Sequence, residues 1–451
     1  MKDMTSGNIP KHLISYAIPL ILGNFFQLTY NAVDSIILGR FAGKESLAAV
    51  GIANPIMNIM IFFIVGICLG AGILMSEFYG AHDTARLRKE ISTTIIIGLA
   101  FTLFVSAVCF VFVKPILAAI RTPDELVAHT AKYLRIVFLG LIFTFFYNVF
   151  ASTLRAVGDS KTPIICVAIS AVLNGILDYV LVARFKTGMS GAAAATVTSQ
   201  AVSCLLCIGY IYIKEPVLAV RPRELKIEKK LVKRTLNYSW ATALQQVVLY
   251  LGKLLIQSAV NPLGTDVIAA FNSGTKIDDF CYQPTQNIGH TMTTFIAQNR
   301  GANLRKRELA GFKYGMLIEF CYAALIFAVV FTMKSRLIRA FAGNAEQNVI
   351  ALGTRYLSIM SCLYFLPAAT NGIQSFFRGI GVMEVTVIAT TSQIITRVVC
   401  SFLFAPRYGL NGIAFACLAG WIVMILYEVP TYLWTQHKMK KDDKQIGAKS
   451  R

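Results

Sequence analysis

Four polar residues, set in otherwise apolar stretches, are the ones whose types and spacing could do chemistry. Asp34 lies in "QLTYNAVDSIILG", Asn174 and Asp178 in "VLNGILDYVLV", and Thr196 in "AAAATVTSQ". Asn174 and Asp178 are four residues apart, so a helix presents both on one face. A charged side chain in hydrocarbon costs at least about 2.5–3.5 kcal/mol on insertion scales, so each is a functional candidate. Two carboxylates brought together out of water resist being charged at once. Such a set can hold a proton, or offer hard oxygen ligands to Na⁺, and the chemistry is that of cation coupling. The plain alternative is that these groups bond only to neighbouring helices or line a passive wet cavity. Gln27, Tyr30 and Asp34 recur at spacings of three and four and share a helix face. Pro19, earlier on that helix, removes a backbone donor and favours a kink, which makes this helix a plausible moving part.

The second half carries charges of mixed sign: Lys253, Asp278, Asp279, Glu319 and Arg397, with Lys276 and His290 nearby. Mixed signs predict mutual pairing, with Lys253 against Asp278 or Asp279 as one candidate. No catalytic constellation is present. The five histidines form no HExxH, and neither GxxxxGK[ST] nor GxSxG occurs, so no enzyme activity and no cofactor are expected. Without a phosphate-binding loop, transport energy has to come from an ion gradient. The ten cysteines are scattered singly, apart from Cys204 and Cys207, and complete no metal site; packing explains them.

The elements that must position these groups are membrane helices. Apolar residues make up 56% of the 451 residues and charged residues only 15%, against about 25% charged in a soluble domain. The apolar runs are near or above the ~20 residues that cross a bilayer, and they read as about twelve spans. The first run, from Leu13 to Leu38, exceeds the roughly 7–15 residues of a signal-peptide core and reads as a retained span. The net charge of +20 reflects Lys and Arg gathered in cytoplasmic loops, and no nucleic-acid partner is expected. The two tails and the even-numbered loops hold the larger share of these residues, which places both termini in the cytoplasm.

The chain is also built twice. "SEFYGA" from Ser76 matches "AQNRGA" from Ala297, and "LAAVGIANPI" from Leu47 matches "IAAFNSGTKI" from Ile268 at the same offset. Tyr133, Asn148, Ser152, Arg155 and Gly158 match Tyr356, Asn371, Ser375, Arg378 and Gly381, and "GMSGAAAA" from Gly188 matches "GLNGIAFA" from Gly409. A duplicated membrane chain predicts two bundles with a substrate path between them. The expected fold is an all-α integral membrane protein of two six-helix bundles related by a pseudo-two-fold. Residues 1–213 form the first lobe, 214–234 a basic linker, 235–434 the second lobe and 435–451 a basic tail.

"NAVDSIILGRFAG", "LRAVGDSKTP", "LNGILDYVLV" and "AQNRGA" together give a chain that resembles the multidrug and toxic compound extrusion (MATE) family over nearly its whole length. The resemblance implies a secondary active exporter of the plasma (inner) membrane that exchanges small cationic or amphipathic compounds for H⁺ or Na⁺ by alternating access, with a monomer expected. It places the cation site of one branch at Asp34, Asn174, Asp178 and Thr196, and makes Gln27, Tyr30 and Asn148 the polar lining of that lobe. A possible Na⁺ at Asp34 and Asp178 is the one metal it implies. Another branch uses acids on the first and fourth helices of the second lobe. Here the seventh span has Gln245, Gln246 and Lys253 and the tenth no carboxylate, which departs from that pattern. The alternative function is a lipid-linked oligosaccharide flippase of the same superfamily, which needs cationic groups for pyrophosphate where the first lobe offers acids.

Overall fold

Apolar runs that lie in lipid must satisfy their own backbone N–H and C=O groups, and a helix does so within one segment. The computed structural model describes residues 3–41, 43–342 and 346–449, with the side chains of residues 28–40, 43–47 and 442–449 outside that description. The described residues form fourteen α-helices and no strand. They are α1 (Ile9–Phe41), α2 (Gly43–Gly80), α3 (Thr84–Val111), α4 (Val113–Ala119), α5 (Asp124–Ala156), α6 (Lys161–Asp178) and α7 (Met189–Lys214). Then follow α8 (Lys229–Val260), α9 (Thr265–Gly301), α10 (Arg305–Ala342), α11 (Gln347–Leu363), α12 (Phe365–Gly379), α13 (Met383–Tyr408) and α14 (Leu410–Lys449).

Nine of these helices are long and apolar enough to cross a membrane, and α11 with α12 supplies a tenth crossing as a pair bent by 43°. At 33 and 37 residues, α1 and α9 also exceed the length a crossing needs. The excess of helices over the twelve expected spans has two sources. The short α4 is a separate helix after Phe112, and the expected single span at 350–376 breaks at Tyr364. Pro367 lies just past that break and has no N–H to continue the α11 ladder.

The chain divides into two compact units, Met1–Val247 with Ala297–Arg305, and Val248–Ile296 with Lys306–Arg451. In the first, α5 packs on α2, α3 and α7, and α6 packs on both α1 and α7. Its core includes Phe138, Phe145 and Leu154 of α5. In the second, α14 packs on α11, α12 and α13, over a core that includes Phe271, Tyr356 and Trp421.

The sequence repeat is also a backbone repeat. His82 and Asn303 end α2 and α9 at φ 54° and 56°, Gly158 and Gly381 stand at 86° and 80°, and Gly188 and Gly409 at 60° and 56°. The last pair opens α7 and α14 from a left-handed conformation that glycine adopts without a Cβ penalty. Where α2 meets the end of α9 the approach is closer still. A Cβ on Gly80 would stand 1.9 Å from the Gln298 carbonyl oxygen, and a Cβ on Gly301 would stand 1.9 Å from that of Glu77. The two contacts exchange equivalent residues of the two repeats.

The 214–228 segment lies along α3. The Arg88 guanidinium meets the Glu224 carboxylate at 2.6 Å, Lys89 meets Glu228 at 3.1 Å, and the Ser92 hydroxyl donates to the Lys226 carbonyl. The Arg221 backbone N–H and then Arg88 hold the Glu224 carboxyl below its ordinary value. The N-terminal segment is docked too. Met4 is buried, its N–H donates to Gln298 Oε1 at 3.1 Å, and its carbonyl accepts from Asn299.

Candidate cation site and the polar clusters

The first-lobe candidates sit on three adjoining helices. Asn174 and Asp178 are 1% and 0% exposed on α6, a helix apolar enough to carry them into the membrane. Directly after Asp178 the helix widens to a π turn, Tyr179–Arg184, a local irregularity often found at functional sites. α6 packs on α1, which carries Tyr30 and Asp34, and on α7, which carries Thr196. The Ser170 hydroxyl ties α6 to α7 through the Ser199 carbonyl. The Thr196 hydroxyl donates back to the Ala192 carbonyl at 3.0 Å. The side chains of Tyr30 and Asp34 lie outside the described residues.

The remaining first-lobe candidates divide. Gln27 is exposed on α1. Asn148 is half-buried on α5, where its amide donates to the Thr144 carbonyl at 2.8 Å. The Thr144 hydroxyl reaches Gln200 of α7 at 3.0 Å, and Tyr147 donates to the Pro163 carbonyl at the start of α6. A polar chain therefore joins α5 to the two helices that hold Asn174, Asp178 and Thr196.

In the second unit the charges pair selectively. Lys253 meets Asp279, at 2.7 Å and partly exposed, whereas the buried Asp278 accepts from the Tyr364 and Tyr356 hydroxyls at 2.7 and 3.0 Å. Arg397 of α13 faces Asp278, and Lys276 is exposed. The repeat makes the contrast plain: Tyr133, the counterpart of Tyr356, meets Met57 in the first unit at 4.0 Å. Glu319, wholly buried on α10, accepts from Asn371 at 2.8 Å.

Sequence reasoning passed over three buried acids, Glu90, Glu308 and Glu428. Glu90 of α3 accepts from Thr235 at 2.9 Å and from Thr94 at 3.3 Å. Glu428 of α14 is 0% exposed beside Gln374 and Arg378 of α12. Its place in "ILYEVP", about two turns before the basic tail, reads as interfacial, although the helix continues through Pro430.

These features define a multi-span membrane transporter: apolar helices in two compact units, an internal repeat, and carboxylates buried at membrane depth. The chain belongs to the MatE family, the multidrug and toxic compound extrusion transporters, whose model matches residues 19–180 and 241–403. Among curated proteins it is 27% identical over 412 residues to "Probable multidrug resistance protein YpnP" of Bacillus subtilis, covering 91% of this chain and 92% of that one. It is 22% identical to "Multidrug export protein MepA" of Staphylococcus aureus, with 90% of each chain covered. Among solved structures, an outward-facing multidrug resistance MATE family transporter of the MOP superfamily superposes with a TM-score of 0.88 at 20% identity, over 97% of this chain and 98% of that one. A MOP superfamily transporter from Pyrococcus furiosus gives 0.87 at 20% identity over 97% of both chains. The fold is therefore the twelve-helix, two-bundle membrane fold.

Proposed function

We propose that this chain is a secondary active multidrug exporter of the plasma membrane, exchanging small cationic or amphipathic compounds for H⁺ or Na⁺ by alternating access. The observation that carries this is Asp178, wholly buried with Asn174 on α6, which packs against both α1 and α7. A buried carboxylate is stable when it holds a proton or pairs with a cation. Uptake of H⁺ or Na⁺ between Asp178 and Asp34, with Asn174 and Thr196 as neutral oxygen donors, would neutralise the site and reshape α1, which carries Pro19. Coupling then follows because drug and cation favour different conformers.

The names of the curated relatives, multidrug resistance and export proteins, support the substrate class. The flippase alternative asks for cationic groups turned toward a pyrophosphate. The half-buried Arg378 and Arg397 of the second unit instead face carboxylates, which favours the exporter. The Lys and Arg distribution supports both termini in the cytoplasm, and we take the functional unit to be the monomer. The test is gradient-driven dye export by wild type beside Asp178→Asn. Loss of export in a folded variant supports the assignment, and undiminished export removes Asp178 from the coupling site.

A further inference from the structure

The start of α8 carries very different residues on its two faces. Leu231, Thr235, Tyr238, Ser239 and Thr242 are buried on one side. Lys229, Lys233, Leu236 and Trp240 are exposed on the other, with Lys230 beside them. Their spacings of four, three and four put these four residues on one helix face. That face is cationic at the helix start and apolar further along. Lys233 and Trp240 are seven residues apart in the sequence, a rise of about 10 Å along the axis. Leu236 is 46% exposed and Trp240 58%, and the indole rests edge-on against Phe63 of α2 with ring centroids 5.6 Å apart.

The segment ahead of α8 adds charge at the same end and is held in place there. Residues 221–233 contain six cations and two acids. Both acids are already engaged on α3, Glu224 with Arg88 and Glu228 with Lys89. The backbone is pinned as well. The Ser92 hydroxyl donates to the Lys226 carbonyl at 3.0 Å and accepts from its N–H at 2.8 Å. The Tyr212 hydroxyl donates to the Val220 carbonyl at 2.8 Å, and Leu218 is buried. Arg223, Lys226, Lys229, Lys230 and Lys233 are all exposed and take part in no ion pair among the described residues. The segment therefore presents a surplus of positive charge on an ordered backbone.

We infer that this face docks an anionic phospholipid, with its phosphate among the lysines and an acyl chain along Leu236 and Trp240. A soluble anion would engage the cations alone, whereas the apolar continuation of the same face matches the tail of a lipid. Lysine stems lie along apolar surface while their ammonium groups stay at headgroup level, and tryptophan suits the boundary just below. The site requires only that the chain lie in a membrane and holds whatever compound the chain exports.

The test uses the full chain in phosphatidylcholine bilayers, with Trp421→Phe and Trp434→Phe leaving Trp240 as the reporter among the three tryptophans. Quenching by dibrominated phosphatidylglycerol, compared with quenching by dibrominated phosphatidylcholine, gives a relative association constant at this face. The expected ratio favours the anionic lipid by at least about fivefold, the factor one cation supplies near an anionic surface. Lys229→Gln, Lys230→Gln and Lys233→Gln together bring it to parity, while Lys438→Gln, Lys440→Gln and Lys441→Gln in the tail leave it unchanged. Raising NaCl to about 1 M shortens the screening length to about 3 Å and collapses the ratio. Inorganic phosphate at matched ionic strength does not change it. An unaltered thermal unfolding midpoint confirms that each variant is folded. If the chain with Trp240 alone does not fold, spin-labelled forms of the two lipids give the same ratio for wild type and the triple lysine variant. Parity with the lysines intact, a preference kept by the triple variant, an equal loss on substituting the tail, or displacement by inorganic phosphate overturns the inference.

Discussion

Adding one methyl group at Gly80 is a sharp test of how the repeats pack. In the first unit α2 and the end of α9 meet so closely that a Cβ on Gly80 lands 1.9 Å from the Gln298 carbonyl oxygen and 2.5 Å from its carbon. A tolerable carbon–oxygen approach is about 3.3 Å, so the helices must part by roughly 1.4 Å there. Backbone atoms cannot rotate away as a side chain would. Overpacking of this kind costs about 1–3 kcal/mol, and a gap of about 0.5–1 Å around the crossing already forfeits a quarter to a half of each contact's dispersion energy. Gly80→Ala is therefore expected to lose about 2–3 kcal/mol, and Gly301→Ala a similar amount, since its Cβ meets the Glu77 carbonyl at the same 1.9 Å. Both substitutions open one crossing. The double variant should fall within about 0.5 kcal/mol of the worse single variant rather than at the sum. Gly209→Ala on α7, with nothing within 4 Å, should be neutral or stabilising by up to about 1 kcal/mol. Reversible unfolding in mixed micelles, followed by a thiol-reactive dye on the seven buried cysteines, reads all four. Wild-type stability for Gly80→Ala, or full additivity in the double variant, would refute the reasoning.

Further outcomes follow from single contacts. Thr235→Val removes the hydroxyl that serves both oxygens of the buried Glu90 and should cost about 1–3 kcal/mol in the same assay, while Thr235→Ser should recover most of it. Tyr364→Phe should destabilise by about 1–3 kcal/mol and more than Tyr356→Phe, because its bond to Asp278 is the shorter at 2.7 against 3.0 Å. Partial burial raises the Asp3 carboxyl, but the Thr5 hydroxyl and backbone N–H outweigh it and hold it below its ordinary value. A depressed carboxyl contributes stability that is complete above its ordinary pKa of about 3.9 and is lost as the pH falls through the lowered value. Proteolysis of the N-terminal segment should accelerate in that acid window, and Asp3→Asn should abolish the pH dependence.

Much of the fold was legible because its determinants are local or periodic. Length and apolarity mark the spans, and the ungapped match of "SEFYGA" with "AQNRGA" anticipates paired helix ends that later share backbone angles. The break after Leu363 was less so, since "FLPAAT" reads equally as a kinked single span. At the candidate site, spacing alone put Asn174 and Asp178 on one face, and the packing of α6 on α1 and α7 supplies the neighbours. Glu428 escaped notice for a different reason. Its burial depends on Arg378 and Gln374, some fifty residues earlier in the chain, and no local pattern records that. Partner choice was equally non-local, because Asp278 and Asp279 are adjacent, yet one meets two tyrosines and the other Lys253.

The central claim is that a cation gradient drives export through the buried first-lobe carboxylates. The most direct measurement is efflux of a fluorescent cationic dye from proteoliposomes, with a pH gradient or a Na⁺ gradient imposed separately, for wild type, Asp34→Asn and Asp178→Asn. The account predicts export under one of the gradients in wild type and its loss in both folded variants. Undiminished gradient-driven export in the variants would contradict it.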